Sequence, residues 1–189
     1  MFRKLVVAVF LLVNVSALYA QTAEDTYNKY LDFNLARLQG EQDKAMDLSR
    51  QIMQDTAKLS AKVKINFFNS LAKLYEDDNQ SVNAIPLYER VVAAEPDYYV
   101  AHRALGYLYL KNFPDANKPL NSPSTDVDYI KAVKKALPQL EKAQACDADD
   151  NTLALIKTLY KNIGDAARLS GLDKRLKALQ VKCEDILID

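Results

Sequence analysis

A five-residue phrase returns along this chain. Leu71-Ala72-Lys73-Leu74-Tyr75 is followed 34 residues later by Leu105-Gly106-Tyr107-Leu108-Tyr109, and Ile156-Lys157-Thr158-Leu159-Tyr160 is a third copy further on. A 34-residue period marks an array of helix-turn-helix units. None of these units can bury its apolar face alone, so stacked neighbours supply the common core. The chain is thereby constrained to an all-α fold of successive hairpins, and no strand-period alternation competes with it.

Around the repeats the helical spacing continues. Residues 21–38 place Tyr27, Tyr30, Leu31, Leu35 and Leu38 at helical intervals, and Gly40 ends that helix. Residues 41–59 repeat the pattern through Ala45, Leu48, Ile52 and Met53. The clearest unit spans 61–98, with a first helix over 61–76, Ser81 as N-cap of a second helix reaching Ala94, and Pro96 closing it. The next spans 99–150, and its two helices are separated by residues 112–128, where Pro114, Pro119 and Pro123 stand among Asn, Ser and Asp. That composition is loop chemistry. The second helices repeat too: Ala84-Ile85-Pro86-Leu87-Tyr88 matches Ala136-Leu137-Pro138-Gln139-Leu140, at an offset longer than 34 because of the insertion. Asp126 or Asp128 caps the helix that restarts near Tyr129 and ends near Cys146, with Pro138 well inside it. Residues 152–163 and 172–187 form a last hairpin.

These residues resemble the tetratricopeptide repeat. The match is full in the first clear unit, at Phe68, Leu71, Ala72, Tyr75, Ala84, Tyr88, Val91 and Pro96. It continues through His102, Leu105, Gly106, Tyr109, Ala136, Leu140, Ala143 and Ala148, without the final Pro. The third unit keeps Leu153, Ile156 and Tyr160 but has Lys157 where a small residue belongs. The resemblance covers about residues 61–163, and it implies a right-handed superhelix of about four hairpins, degenerate at 21–60 and 151–189. It also implies a concave groove lined by first-helix side chains. By position these are Asn66, Asn69, Lys73 and Glu76, then Arg103, Tyr107 and Lys111, then Thr158, Lys161 and Asn162. Lys73, Arg103, Lys111 and Lys161 would make one wall basic, suited to acidic side chains or a carboxylate.

The opening segment has the organisation of a secretory leader. Arg3 and Lys4 precede an apolar run, Leu5 to Val13, and the small, mixed stretch ending in Ala20 puts cleavage before Gln21. The run is shorter than the ~18–20 residues that span a bilayer, so no membrane anchor is expected after cleavage. The expected location is the periplasm or cell envelope of a Gram-negative bacterium. Without Arg3 and Lys4 the balance is 23 basic against 25 acidic residues, which gives no footprint for nucleic acid or anionic membrane. Cys146 and Cys183 are the only cysteines. Both fall near the ends of second helices in adjacent repeats. Two readings stand: a disulfide formed in an oxidising compartment, or two separate buried thiols packed as small hydrophobes.

Nothing in the sequence assembles catalytic chemistry. The single histidine, His102, occupies a repeat core position with no nucleophile or orienting partner near it in sequence. No spacing suggests a metal site, and the four glycines build no phosphate loop. The expectation is therefore a non-enzymatic protein-protein interaction module with no cofactor. The alternative is an accessory protein that binds a small ligand or glycan at the 112–128 insertion.

Overall fold

The computed structural model describes residues 23–187, so the expected leader and the expected cleavage site lie outside the described residues. The described chain is all-helical, with no strand. Its helices are α1 (23–38), α2 (Gln42–Gln54), α3 (Ala61–Asp77), α4 (Ser81–Ala94), α5 (Tyr99–Leu110), α6 (Val127–Cys146), α7 (Asp150–Asn162), α8 (Ala166–Ser170) and α9 (Leu172–Leu179), with a 3-10 turn at Thr56–Lys58. Two compact units divide between Ser70 and Leu71, inside α3.

In the first unit, Tyr30, Phe33 and Ala36 of α1 are buried with Ala45 and Ile52 of α2 and Val63 and Phe67 of α3. Phe33 and Phe67 meet edge to face, centroids 5.3 Å apart. This corrects the face expected for α1. Tyr27, Leu31, Leu35 and Leu38, spaced as a core stripe, are all exposed, while Tyr30 alone of that set is buried. The helix carries apolar residues on two sides, and the aromatic contact at Phe33 decides which side packs.

Three helix ends share one turn. Gly40 (φ +75), Asn79 (φ +59) and Gly164 (φ +71) are left-handed. At each, the residue's own N–H and the next N–H bond back to the closing carbonyls: Gly40 to Arg37 and Glu41 to Ala36, Asn79 to Glu76 and Gln80 to Tyr75, Gly164 to Lys161 and Asp165 to Tyr160. This paired arrangement satisfies carbonyls that a helix end otherwise leaves bare, and Gly or Asn adopts it most readily. The caps end α1, α3 and α7. Helix α5 lacks one, and its C-terminus opens instead into the 111–126 segment.

The second unit centres on α6, which packs against α5, α7 and α9. Gly106 of α5 is the point of closest approach: a Cβ there would sit 2.7 Å from the Leu140 side chain. Val133, Ala136, Leu137 and Leu140 form a core with Ile156, Leu159, Tyr160 and Leu172. Residues 140–145 are all buried, including Glu141 (4 % exposed) and Lys142 (7 %). Glu141 accepts from Arg175 Nε at 2.9 Å and Nη2 at 2.7 Å, and from the Tyr160 hydroxyl. Burial first, then the Glu141 contact, pushes the Tyr160 hydroxyl up to about 12. Lys142 Nζ donates to Asp97 at 2.9 Å and to the Lys182 carbonyl at 2.5 Å.

Three local expectations are corrected, and of the two cap candidates for α6 one is selected. Ser81 is the first residue of α4, with Gln80 in the cap position and no side-chain cap bond. Asp126 rather than Asp128 caps α6, accepting from the Asp128 and Tyr129 amides. The expected helix over 41–59 stops at Gln54. The helix expected over 172–187 stops at Leu179, because the chain beyond it is pulled onto other elements. Glu184 N–H donates to the Asp97 carbonyl at 2.8 Å, and its own carbonyl accepts from Tyr99 N–H at 3.1 Å. Cys183 in this segment is bonded to Cys146 at the end of α6, with Cα atoms 5.4 Å apart. Cys183 is thus not on a helix, and neither cysteine is a free thiol.

Replacing both cysteines by serine should lower stability by about 2–4 kcal/mol, because the cross-link no longer restricts the unfolded chain. Thermal melts of the oxidised and double-serine proteins, with hydrogen exchange over 180–187, check this. An unchanged Tm would mean that the backbone bonds and Lys142 hold the segment unaided.

Candidate functional site

The first helices of the second unit, α3, α5 and α7, are tied together through α5. On one side, Lys111 Nζ donates to Asn79 Oδ1 at 3.1 Å, in the turn after α3. On the other, the Tyr107 hydroxyl lies 2.9 Å from Thr152 Oγ1 at the start of α7. Arg103 donates to the Asp147 carboxylate at 2.8 Å and to the Asp147 carbonyl at 2.7 Å, and its guanidinium lies 5.7 Å from the Tyr99 ring centroid.

The side chains expected in the groove therefore divide. Asn66 and Asn69 lie on α3 within the first unit, both half-buried. Lys73 is exposed and paired with Asp77 one helical turn on. Glu76 accepts from the Tyr88 hydroxyl at 2.8 Å. Burial, with Glu76 adding to it, raises the Tyr88 hydroxyl well above its ordinary range. Tyr107 is 42 % exposed, Thr158 is half-buried and Lys161 is exposed. Asn162 is a correction. It is 2 % exposed and is spent inside the protein. The basic wall is likewise altered, since Lys73, Arg103 and Lys111 already hold acceptors of this chain.

Asn162 organises the insertion. Its Oδ1 accepts from Leu120 N–H at 2.9 Å. Its Nδ2 donates to the Lys118 carbonyl and to the Tyr129 hydroxyl, both at 3.0 Å. Its backbone carbonyl accepts from Ser124 N–H at 2.7 Å. Pro123 lies against Gly164, where a Cβ would stand 3.2 Å from its ring. Phe113 meets Tyr129 edge to face at 5.4 Å, and Ala116 is buried. The segment is thus a built structure, and it encloses an open cavity of about 290 Å³. Phe113, Pro114, Ala116, Leu120 and Tyr129 give it apolar walls, with Asn112, Asp115, Ser124, Asp126 and Asn162 completing the lining. The sequence marked this loop as a candidate for an irregular ligand pocket built by Asn, Ser, Asp and Pro, but not for its apolar walls. The available signal was the apolar pair Phe113 and Leu120 within an otherwise polar, proline-rich stretch.

His102 is half-buried, with Nδ1 2.6 Å from Gln139 Oε1 and Nε2 3.1 Å from the Pro96 carbonyl. Burial pushes it below the usual imidazole range, against those two contacts. Among the described residues no group of three His, Cys, Asp or Glu side chains could hold a metal ion. No helix among them is long and apolar enough to cross a membrane. No family model, curated protein or solved structure matches the chain.

Asn162→Ala should leave the Lys118 carbonyl and the Leu120 N–H without their side-chain partner, at a cost of about 1–3 kcal/mol. The expected readout is faster hydrogen exchange and proteolysis confined to residues 116–124. Protection equal to the parent protein would mean that Asn162 does not hold the loop. For His102, the folded chain binds a proton less readily than the unfolded chain. Its contribution is therefore fully present above about pH 6.5 and is lost as pH falls through the lower folded-state value. His102→Gln should flatten the fall of Tm between pH 7 and pH 5, and parallel slopes would count against this role.

Proposed function

We propose that the protein is a non-catalytic interaction module of tetratricopeptide type, acting in the bacterial envelope and holding a protein partner against its first helices. One observation carries this reading: positions that match between repeats have the same environment. Leu71 and Ala72, Leu105 and Gly106, Ala84 and Ala136, and Tyr88 and Leu140 are buried at equivalent places. A repeat whose core positions are spent on stacking leaves its first-helix faces for recognition. Among the groove positions Tyr107 is the exposed aromatic, and aromatics dominate binding energy at interfaces.

The internal pairing of Lys73, Arg103 and Lys111 shifts the expected recognition away from a broad basic wall toward Tyr107 with Lys161. Affinity capture from envelope extract with residues 21–189 as bait, beside Tyr107→Ala/Lys161→Glu, tests this. A specific partner whose affinity drops at least tenfold on the double variant is the expected result. Equal retention by both baits would overturn the assignment of this face.

A second reading is favoured by the cavity under the insertion, in which the protein takes a small ligand there. The apolar walls and few polar groups are the composition of a ligand site, although the volume is at the small end of the range.

A further inference from the structure

The lining of the insertion cavity is uneven in its chemistry. Several of its polar atoms are already bonded to one another. The Asn162 amide has both its oxygen and its nitrogen engaged, and Ser124 Oγ accepts from Asp126 N–H at 3.2 Å. Beside them the lining offers the apolar surfaces of Phe113, Ala116, Leu120 and Tyr129.

Asp126 differs. Its Oδ1 accepts both capping N–H groups, at 2.9 and 3.0 Å, which leaves Oδ2 for an incoming donor. Asp115, also on the lining, is paired with Lys118 at 2.7 Å with both side chains at least 70 % exposed, a pairing of little energetic weight. The positive end of the α6 dipole would disfavour a cation here, but it faces Asp126 in the cap and Asp128 in the first turn. The carboxylates therefore set the local sign.

We propose that this cavity binds a small group with an apolar body, about one aromatic or branched aliphatic side chain in size, and a cationic head, an amine or guanidinium, directed at Asp126 Oδ2. The group is either a free amine or a basic residue of a peptide. The inference rests on the ligand reading of the cavity and names the ligand class for it. Apolar burial supplies the affinity. The charged hydrogen bond to Asp126 supplies the choice of head group.

The test uses isotope-labelled protein of residues 21–189 and three probes with one ring and different heads: benzylamine, benzyl alcohol and benzoate. Backbone and side-chain shifts are expected to be centred on 112–129 and Asn162. Benzylamine should bind at least tenfold more tightly than the alcohol, and benzoate most weakly. Asp126→Asn keeps a capping oxygen, so the fold is retained, and it should bring benzylamine to the level of the alcohol.

Equal binding of amine and alcohol, or an unchanged amine affinity in Asp126→Asn, would overturn the cationic class while leaving a ligand cavity. Absence of shifts around the cavity with every probe would overturn the ligand reading itself. An amidated, N-acetylated Phe-Lys dipeptide separates the sources. Tighter binding than benzylamine assigns the site to peptides, and weaker binding assigns it to free amines.

Discussion

Residues 140–145 of α6 are enclosed on every side, and two of them are charged. A charge taken out of water is costly unless it is both paired and hydrogen-bonded. That requirement fixes much of the second unit. Glu141 recruits Arg175 from α9 and the Tyr160 hydroxyl from α7. Lys142 recruits Asp97 from the α4–α5 turn and the Lys182 carbonyl from the C-terminal segment. Four parts of the chain distant in sequence are thereby located around a single turn of helix. The Cys146–Cys183 bond closes the same end of α6 covalently. Removing one member of such a set would strand its partner, which is why these neighbours stand or fall together.

The position of the insertion has a related logic. Elsewhere a helix pair turns through a left-handed cap, at Gly40, Asn79 or Gly164, and the chain re-enters helix at once. At the end of α5 no such cap forms, and the chain instead departs for 111–126. Within the second unit this segment is rooted beside the other two turns, since Lys111 bonds to Asn79 and Pro123 rests against Gly164. Asn162, at the end of α7, then gives its amide oxygen and nitrogen to the segment and to Tyr129. A polar residue that would otherwise face outward becomes the internal post of a small cavity.

The candidate sites were legible in unequal measure. The repeat placed Leu71, Leu105, Ile156 and Tyr160 in the core, because burial at those positions is set by helical periodicity alone. It could not tell that Lys73, Arg103 and Lys111 would be engaged by Asp77, Asp147 and Asn79. The last two contacts join residues far apart in sequence. Asn162 was misassigned to the groove for the same reason: its neighbours, Leu120 and Tyr129, belong to another part of the chain. In α1 the apolar pattern was ambiguous. Phe33 and Leu31 lie on different faces of a helix that is apolar on both, and only the edge-to-face contact with Phe67 selects one.

By itself, the sequence determined the features governed by short-range physics. These are the helical segments, the glycine end at position 40, and the loop between α5 and α6. Spacing and local backbone preference act within a few residues, so they can be read directly from the order of residues. The tertiary structure decided the face that α1 buries, the end of α9, the burial of Glu141 and Lys142, and the cavity beneath the insertion. Each of these depends on a ring, a charge or an amide finding a partner tens of residues away. Only the packed chain brings those groups into contact.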